Sequence, residues 1–196
     1  TELAQKTIVN ETIGWIFIVC GLMGSLIVLL LRSGAALAFS ISVSKRAKNR
    51  KVALLSTWFL GLIIFIDDYL NALAVGTSMR RLTDKYKISR EMLSYVVDST
   101  AAPICILLPI STWAVFFVAL LESNDIAAKG QGMSLYIEAI PYMFYAWAAI
   151  IIVPLVSAGY FPIIGPMRKA EKLAYEGKSC YLMSGREAIA PEVLAQ

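Results

Sequence analysis

Long apolar stretches alternate with short polar ones along this chain. Positions 13–31 carry no charge and come close to the roughly twenty residues of a membrane-crossing helix. Positions 33–44 are small and apolar with interspersed serines, too short to cross alone. Positions 52–78 are interrupted only by Asp67 and Asp68, and 92–121 run to a polar segment, Glu122-Ser-Asn-Asp125. Positions 134–164 carry Glu138 and three prolines, Pro141, Pro154 and Pro162. The stretch 165–196 is a polar tail of mixed charge with helical patches. The pattern predicts an all-α, polytopic membrane protein with spans at about 13–31, 52–78, 92–121 and 134–164. A segment of 1–164 is then followed by a cytoplasmic tail.

Composition strengthens this reading. Of 196 residues, 58% are hydrophobic and 16% charged, against roughly 25% charged in an average soluble protein. The mean hydropathy is +0.68. The net charge of +4 reads as a topology signal, because its basic residues bunch beside apolar runs; a nucleic-acid surface is not expected. The strongest bunch is Lys45-Arg46-Ala-Lys48-Asn-Arg50-Lys51. A second loop, from Met79 to Glu91, holds Arg80, Arg81, Lys85, Lys87 and Arg90, with Ser89 as the expected cap of the next helix. Both bunches flank 52–78, and the positive-inside rule places both in the cytoplasm. Those residues therefore either cross once against the rule or enter and return as a hairpin, turning near Asp67-Asp68 or Gly76-Thr77. The run 13–31 is too long for a secretory signal core and closes without a small-x-small cleavage site. Its Gly21-x-x-x-Ser25 spacing suits close helix packing. Trp113, Tyr136, Tyr142 and Tyr160 suit interfacial positions.

The chemistry is concentrated in two arms. Ionised groups within apolar sequence are costly and mark functional sites. Two adjacent aspartates, Asp67 and Asp68, cannot easily both stay ionised at membrane depth. Either one takes a proton or a cation neutralises the pair. Asn71 is three and four residues on, so it neighbours either carboxylate on a helix. In the second arm, Asp98-Ser99-Thr100 precedes Pro103. That proline predicts a helix ending near Asp98, an unwound stretch, and a new helix from about Ala102 capped by Ser99 or Thr100. Pro109 with Ser111-Thr112 repeats the signal two turns later. Broken helices of this kind offer carbonyls and hydroxyls to a cation, and such oxygen ligands suit a hard one. The bland readings stay open beside these: Asp67-Asp68 as a solvated helix end, Asp98-Ser-Thr as an ordinary cap. With no histidine, a proton carried near neutral pH rides on a carboxylate. Cys20, Cys105 and Cys180 fit neither a zinc spacing nor a disulfide framework and read as packing. No cofactor is expected.

Two ordered stretches carry a family resemblance. Phe65-Ile-Asp67-Asp68-Tyr-Leu-Asn71-Ala-Leu-Ala-Val-Gly76-Thr77-Ser-Met-Arg80 resembles sodium/proton antiporters of the NhaC type. So does Leu82-Thr-Asp84-Lys-Tyr-Lys-Ile-Ser-Arg90, which leads into Asp98-Ser-Thr-Ala-Ala-Pro103. One departure is Arg81, where the family pattern has proline. The resemblance implies a secondary antiporter of the inverted-repeat, broken-helix kind in the inner or plasma membrane, exchanging Na+ for H+. Some relatives also exchange small organic acids such as malate or lactate. It further implies that the chain is one part of a longer transporter, which fits the missing internal repeat and a first residue, Thr1, that is not methionine. By position, Asp67, Asp68, Asn71, Asp98, Ser99 and Thr100 match the family's polar core. The expected division puts Na+ at Asp98, Ser99, Thr100 and Asn71 and protons on Asp67 and Asp68. The competing classes are a structural membrane subunit and an intramembrane aspartyl protease. Tyr-Asp and Gly-x-Gly-Asp signatures of the latter are absent, and no enzymatic activity is expected.

Overall fold

Asn49 opens the helix Arg50–Ile63 by accepting the backbone N–H of Val52 at 2.9 Å on its side chain, which satisfies one of the donors a helix start leaves free. The computed structural model describes residues 47–177 and scattered positions between 18 and 38. Most of the expected span 13–31 and of the 33–44 stretch, Cys20, Cys180 and the tail beyond Gly177 lie outside the described residues. Between residues 47 and 177, seven α-helices follow in order: α1 (Arg50–Ile63), α2 (Asp68–Lys85), α3 (Arg90–Leu107), α4 (Thr112–Ser123), α5 (Gly132–Ala139), α6 (Phe144–Ala158) and α7 (Gly165–Tyr175). A 3-10 turn, Ile140–Tyr142, joins α5 to α6. The all-α class holds, with no strand among the described residues.

Residues 52–78 form a hairpin. α1 runs to Ile63, the chain turns through 64–67, and α2 returns antiparallel, so that the Tyr86 hydroxyl reaches back to the Ala47 carbonyl at 2.5 Å. Of the two expected turn positions, the one at Asp67-Asp68 is used, and Gly76-Thr77 lies within α2. The expected loop from Met79 shrinks to 86–89. Met79, Leu82 and Thr83 continue the buried stripe of Ala74 and Val75, and that packing keeps the helix wound through Lys85. Ser89 caps α3, accepting Met92 N–H at 3.1 Å as expected.

α3 corrects a second expectation. It is unbroken from Arg90 to Leu107, with Pro103 inside it. Pro103 forfeits one helical hydrogen bond. However, it is buried, together with Val96, Val97, Thr100, Ala101 and Cys105, so packing on several sides holds the helix through it. The interruption comes at 108–111, around Pro109, and the axis bends by 49° into α4. The cap of the second segment is therefore Ser111 and not Ser99 or Thr100.

α1, α2, α3 and α6 form the bundle, with Leu60, Val75, Met79, Met92, Val96 and Val153 in its core. α4 and α5 pack beyond it through Trp113, Phe116, Phe117 and Tyr136, with Phe117 stacked on Tyr136 at 6.3 Å. α6 ends in a Schellman turn: Gly159 adopts φ 83, a backbone shape that favours glycine, and Tyr160 N–H returns to the Leu155 carbonyl at 3.0 Å. The Lys51 ammonium sits over that end. Among the described residues no single helix is long and apolar enough to cross a membrane, but two bent pairs together are: α3 with α4, and 132–142 with α6, the latter bent by 51°.

Charge is sorted by end. The start of α1, the end of α2, the 86–89 loop, the start of α3, the end of α6 and α7 share one end. Every Lys and Arg between 47 and 177 lies toward it, except Lys129. Glu171 of α7 fastens that end. Its Oε1 accepts Ser89 N–H at 3.0 Å and Ser89 O–H at 2.7 Å, and its other oxygen pairs with Arg50. Removing it by Glu171→Ala leaves buried donors without an acceptor. The expected loss is about 1–3 kcal/mol, read as a lowered midpoint in denaturant titration and as faster tryptic cleavage at Arg168 and Lys169.

Candidate functional site

An interrupted helix in apolar surroundings must satisfy its free carbonyls and N–H groups. Here two interruptions face one another and do so jointly. Across the α1–α2 turn, the Asn71 amide donates to the Gly61 and Ile64 carbonyls, both at 2.7 Å. The Cys105 thiol donates to Phe65 O at 3.1 Å, and Thr112 N–H donates to Ile66 O at 2.9 Å. At the α3–α4 break, Ser111 donates its hydroxyl to the Cys105 carbonyl and accepts Ala114 N–H at 3.1 Å, so one side chain serves both helix ends. Tyr136 from α5 covers the Ile106 carbonyl at 2.6 Å.

Asp67 closes the set. It is 7% exposed and caps α2: Oδ1 accepts Leu70 N–H at 2.9 Å, and Oδ2 accepts the Thr112 hydroxyl at 3.1 Å. Both of its oxygens are thus engaged in tying the two breaks together. Asp68, the first residue of α2, is half-buried and carries a buried Oδ1 without a hydrogen-bond partner. Asn71 is fully buried, and its Oδ1 also lacks a partner, while its N–H groups are spent on α1. The Cys105 thiol lies within electrostatic reach of both carboxylates. Thr100 comes in from α3 against Gly61: a Cβ at Gly61 would meet the Thr100 methyl at 3.0 Å and stand 3.7 Å from Asn71 Oδ1. The Thr100 hydroxyl itself donates to Val96 O at 2.6 Å.

The six expected site residues therefore separate into two groups. Asp67, Asp68, Asn71 and Thr100 gather at the paired breaks. Asp98 and Ser99 do not join them: Asp98 is exposed on the other face of α3, because the helix never unwinds to swing it inward. Both line an open cavity of ≈ 790 Å³ between α2 and α3, together with Ala72, Gly76, Arg80 and Arg90. Arg90 pairs there with Asp84 at 2.7 Å, and burial nudges the Asp84 carboxyl upward against the pull of that arginine. Among the described residues no three His, Cys, Asp or Glu side chains converge on a metal-binding point. A cation at the breaks would have to rely on carboxylate, amide and backbone oxygens.

Gly61, Cys105, Ser111 and Thr112 belong to the site and were not singled out as ligands or ties from sequence. The contacts of Gly61, Cys105 and Thr112 span roughly ten to forty-five positions along the chain, where no spacing rule operates, whereas those of Ser111 stay within six. The signal that existed was Pro109 followed by two hydroxyl residues, the pattern of a helix restart.

Two variants test this geometry. Asn71→Leu strips the donors from two buried carbonyls and is expected to cost about 2–4 kcal/mol. Gly61→Val drives a methyl into Thr100 and is expected to cost about 1–3 kcal/mol by overpacking. Thermal or denaturant unfolding in detergent measures both, and wild-type stability in either variant would refute the packing described.

An uncharacterized protein of Haemophilus influenzae is 37% identical to this chain over 156 residues, which cover 78% of the chain and 30% of that protein. The chain thus spans less than a third of the length of the curated relative it matches. No protein-family model matches it. No solved structure matches it either.

Proposed function

We propose that this chain is part of a secondary transporter that exchanges Na+ for H+ across the cell membrane. The observation carrying the proposal is the pair of unpartnered buried oxygens, Asp68 Oδ1 and Asn71 Oδ1, beside two helix interruptions where the carbonyls of Gly61, Ile64, Phe65, Ile66, Cys105 and Ile106 have donors. Leaving buried acceptors without donors costs about 1–3 kcal/mol each, and a cation would relieve that cost. Two bent helix pairs of crossing length and the segregation of basic residues to one end support a multi-pass arrangement with that end in the cytoplasm. The resemblance of 65–103 to NhaC-type antiporters supports the same reading, and with it an inverted-repeat protein longer than this chain.

In this reading the roles are redistributed. Asp68 is the exchanging carboxylate, holding either a proton or Na+, and Asn71 lends its amide oxygen to the ion. Asp67 holds the two breaks in register, because both its oxygens already serve α2 and Thr112. Asp98 and Ser99 line the approach between α2 and α3. The assignment is tested in everted membrane vesicles of the full-length protein loaded with a pH-sensitive dye. Asp68→Asn is expected to abolish Na+-dependent dequenching, a loss of 100-fold or more in exchange rate. Thr112→Val is expected to reduce it by roughly 10-fold through lost positioning. Undiminished exchange in Asp68→Asn would remove Asp68 from the mechanism.

A second reading, Na+/H+-coupled exchange of a small carboxylate, is favoured by Arg80 and Arg90 in the same cavity as Asp98. Uptake of labelled malate or lactate by the same vesicles, reduced at least 10-fold in Arg80→Gln, is the outcome expected of it. Absence of labelled uptake would leave cation exchange alone.

A further inference from the structure

α7 is amphipathic in three dimensions as well as in sequence. Met167, Ala170, Glu171 and Ala174, spaced as one helical face, turn toward the bundle. Glu171 is pinned to Ser89 and Arg50, and Tyr175 lies under Lys87, whose ammonium is 5.4 Å from the ring centre. The helix is therefore held in one orientation. Its outer face presents Arg168, Lys169, Lys172 and Leu173, all exposed. Lys172 makes only a loose pair with Glu176 at 4.0 Å. Just before the helix, Tyr160, Phe161 and Ile164 are 79%, 50% and 76% exposed. This places three exposed apolar side chains immediately ahead of a fixed row of cations in the chain.

We infer that 160–173 is a lipid-contact element: the apolar cluster enters the acyl–headgroup boundary and Arg168, Lys169 and Lys172 bind anionic phospholipid headgroups. Charge complementarity selects this occupant. Zwitterionic lipid alone would accept the aromatics but give no return for three cations on one face, and an acidic headgroup layer satisfies both chemistries over one short stretch. The fixed roll of α7 matters, since it directs the cations outward; a freely rotating helix would lose that advantage. The inference rests on the membrane reading above but not on the identity of the transported ions.

The test uses the full-length protein reconstituted in vesicles of phosphatidylcholine alone or with added phosphatidylglycerol. A nitrobenzoxadiazole probe is attached at Leu173→Cys in a background free of reactive native cysteines. With phosphatidylglycerol, the probe is expected to shift to the blue and to be quenched by headgroup-proximal nitroxide lipid. The triple variant Arg168→Gln, Lys169→Gln, Lys172→Gln is expected to lower the bound-to-released ratio on the order of 100-fold at low salt. The charge-keeping set Arg168→Lys, Lys169→Arg, Lys172→Arg should retain it. Equal signals in both lipids, or indifference to the triple variant, would overturn the inference and point to acyl chains or a protein surface as the cover. Flotation of the vesicles separates the two claims. Protein that fails to float with lipid refutes the membrane reading itself, whereas protein that floats with an indifferent probe refutes only lipid recognition by α7.

Discussion

Backbone groups at an interrupted helix cannot be left bare in an apolar environment, and this structure is arranged around that constraint. The turn at 64–67 and the break at 108–111 expose carbonyls and N–H groups that no helix supplies with partners. Asn71, Asp67, Cys105, Ser111, Thr112 and Tyr136 each answer one or two of them. Because donors and acceptors come from five different helices, the breaks fix the positions of α1 to α5 relative to one another. Losing a single partner would leave a buried group unsatisfied, so the polar residues act as structure first.

Function, in this view, begins where that accounting leaves a remainder. Most polar atoms at the breaks have a partner, but the Asp68 and Asn71 oxygens do not. In the proposed reading, ligand and structural roles coexist within one side chain. The Asn71 nitrogen closes the end of α1, and its oxygen is left facing the region that Thr100 and Gly61 crowd. The ordering of the cluster then costs nothing further at the moment an ion arrives, which is the general advantage of a preorganised site.

The two ends of the bundle do different work. One end is basic and is cross-braced by Glu171, Ser89, Arg50, Tyr86 and Ala47. Among residues 47–177 the other holds Lys129 as its one cation and is built from turns and an aromatic cluster. α7 belongs to the braced end, where a buried carboxylate reaching across to α3 and α1 sets which of its faces looks outward.

Local pattern and composition alone determined the helical class, the positions of the apolar runs, the cap at Ser89, the clustering of charge and the two arms that carry polar chemistry. These are properties of residues within a turn or two of one another, where periodicity and capping operate. Tertiary structure alone decided three further matters. It folded 52–78 into a helical hairpin, because Asn71 and Tyr86 tie α2 back along α1. Of the two breaks that the prolines signalled, it closed the one at 99–101 and kept the one at 108–111, because burial holds α3 straight through Pro103 while Ser111 serves both helix ends at the later site. It also parted Asp98 from Asp68, since the continuous α3 leaves Asp98 exposed on a face away from the paired breaks. Sequence spacing can place a carboxylate in an apolar run, but the direction it faces is set by how neighbouring helices satisfy their own backbones.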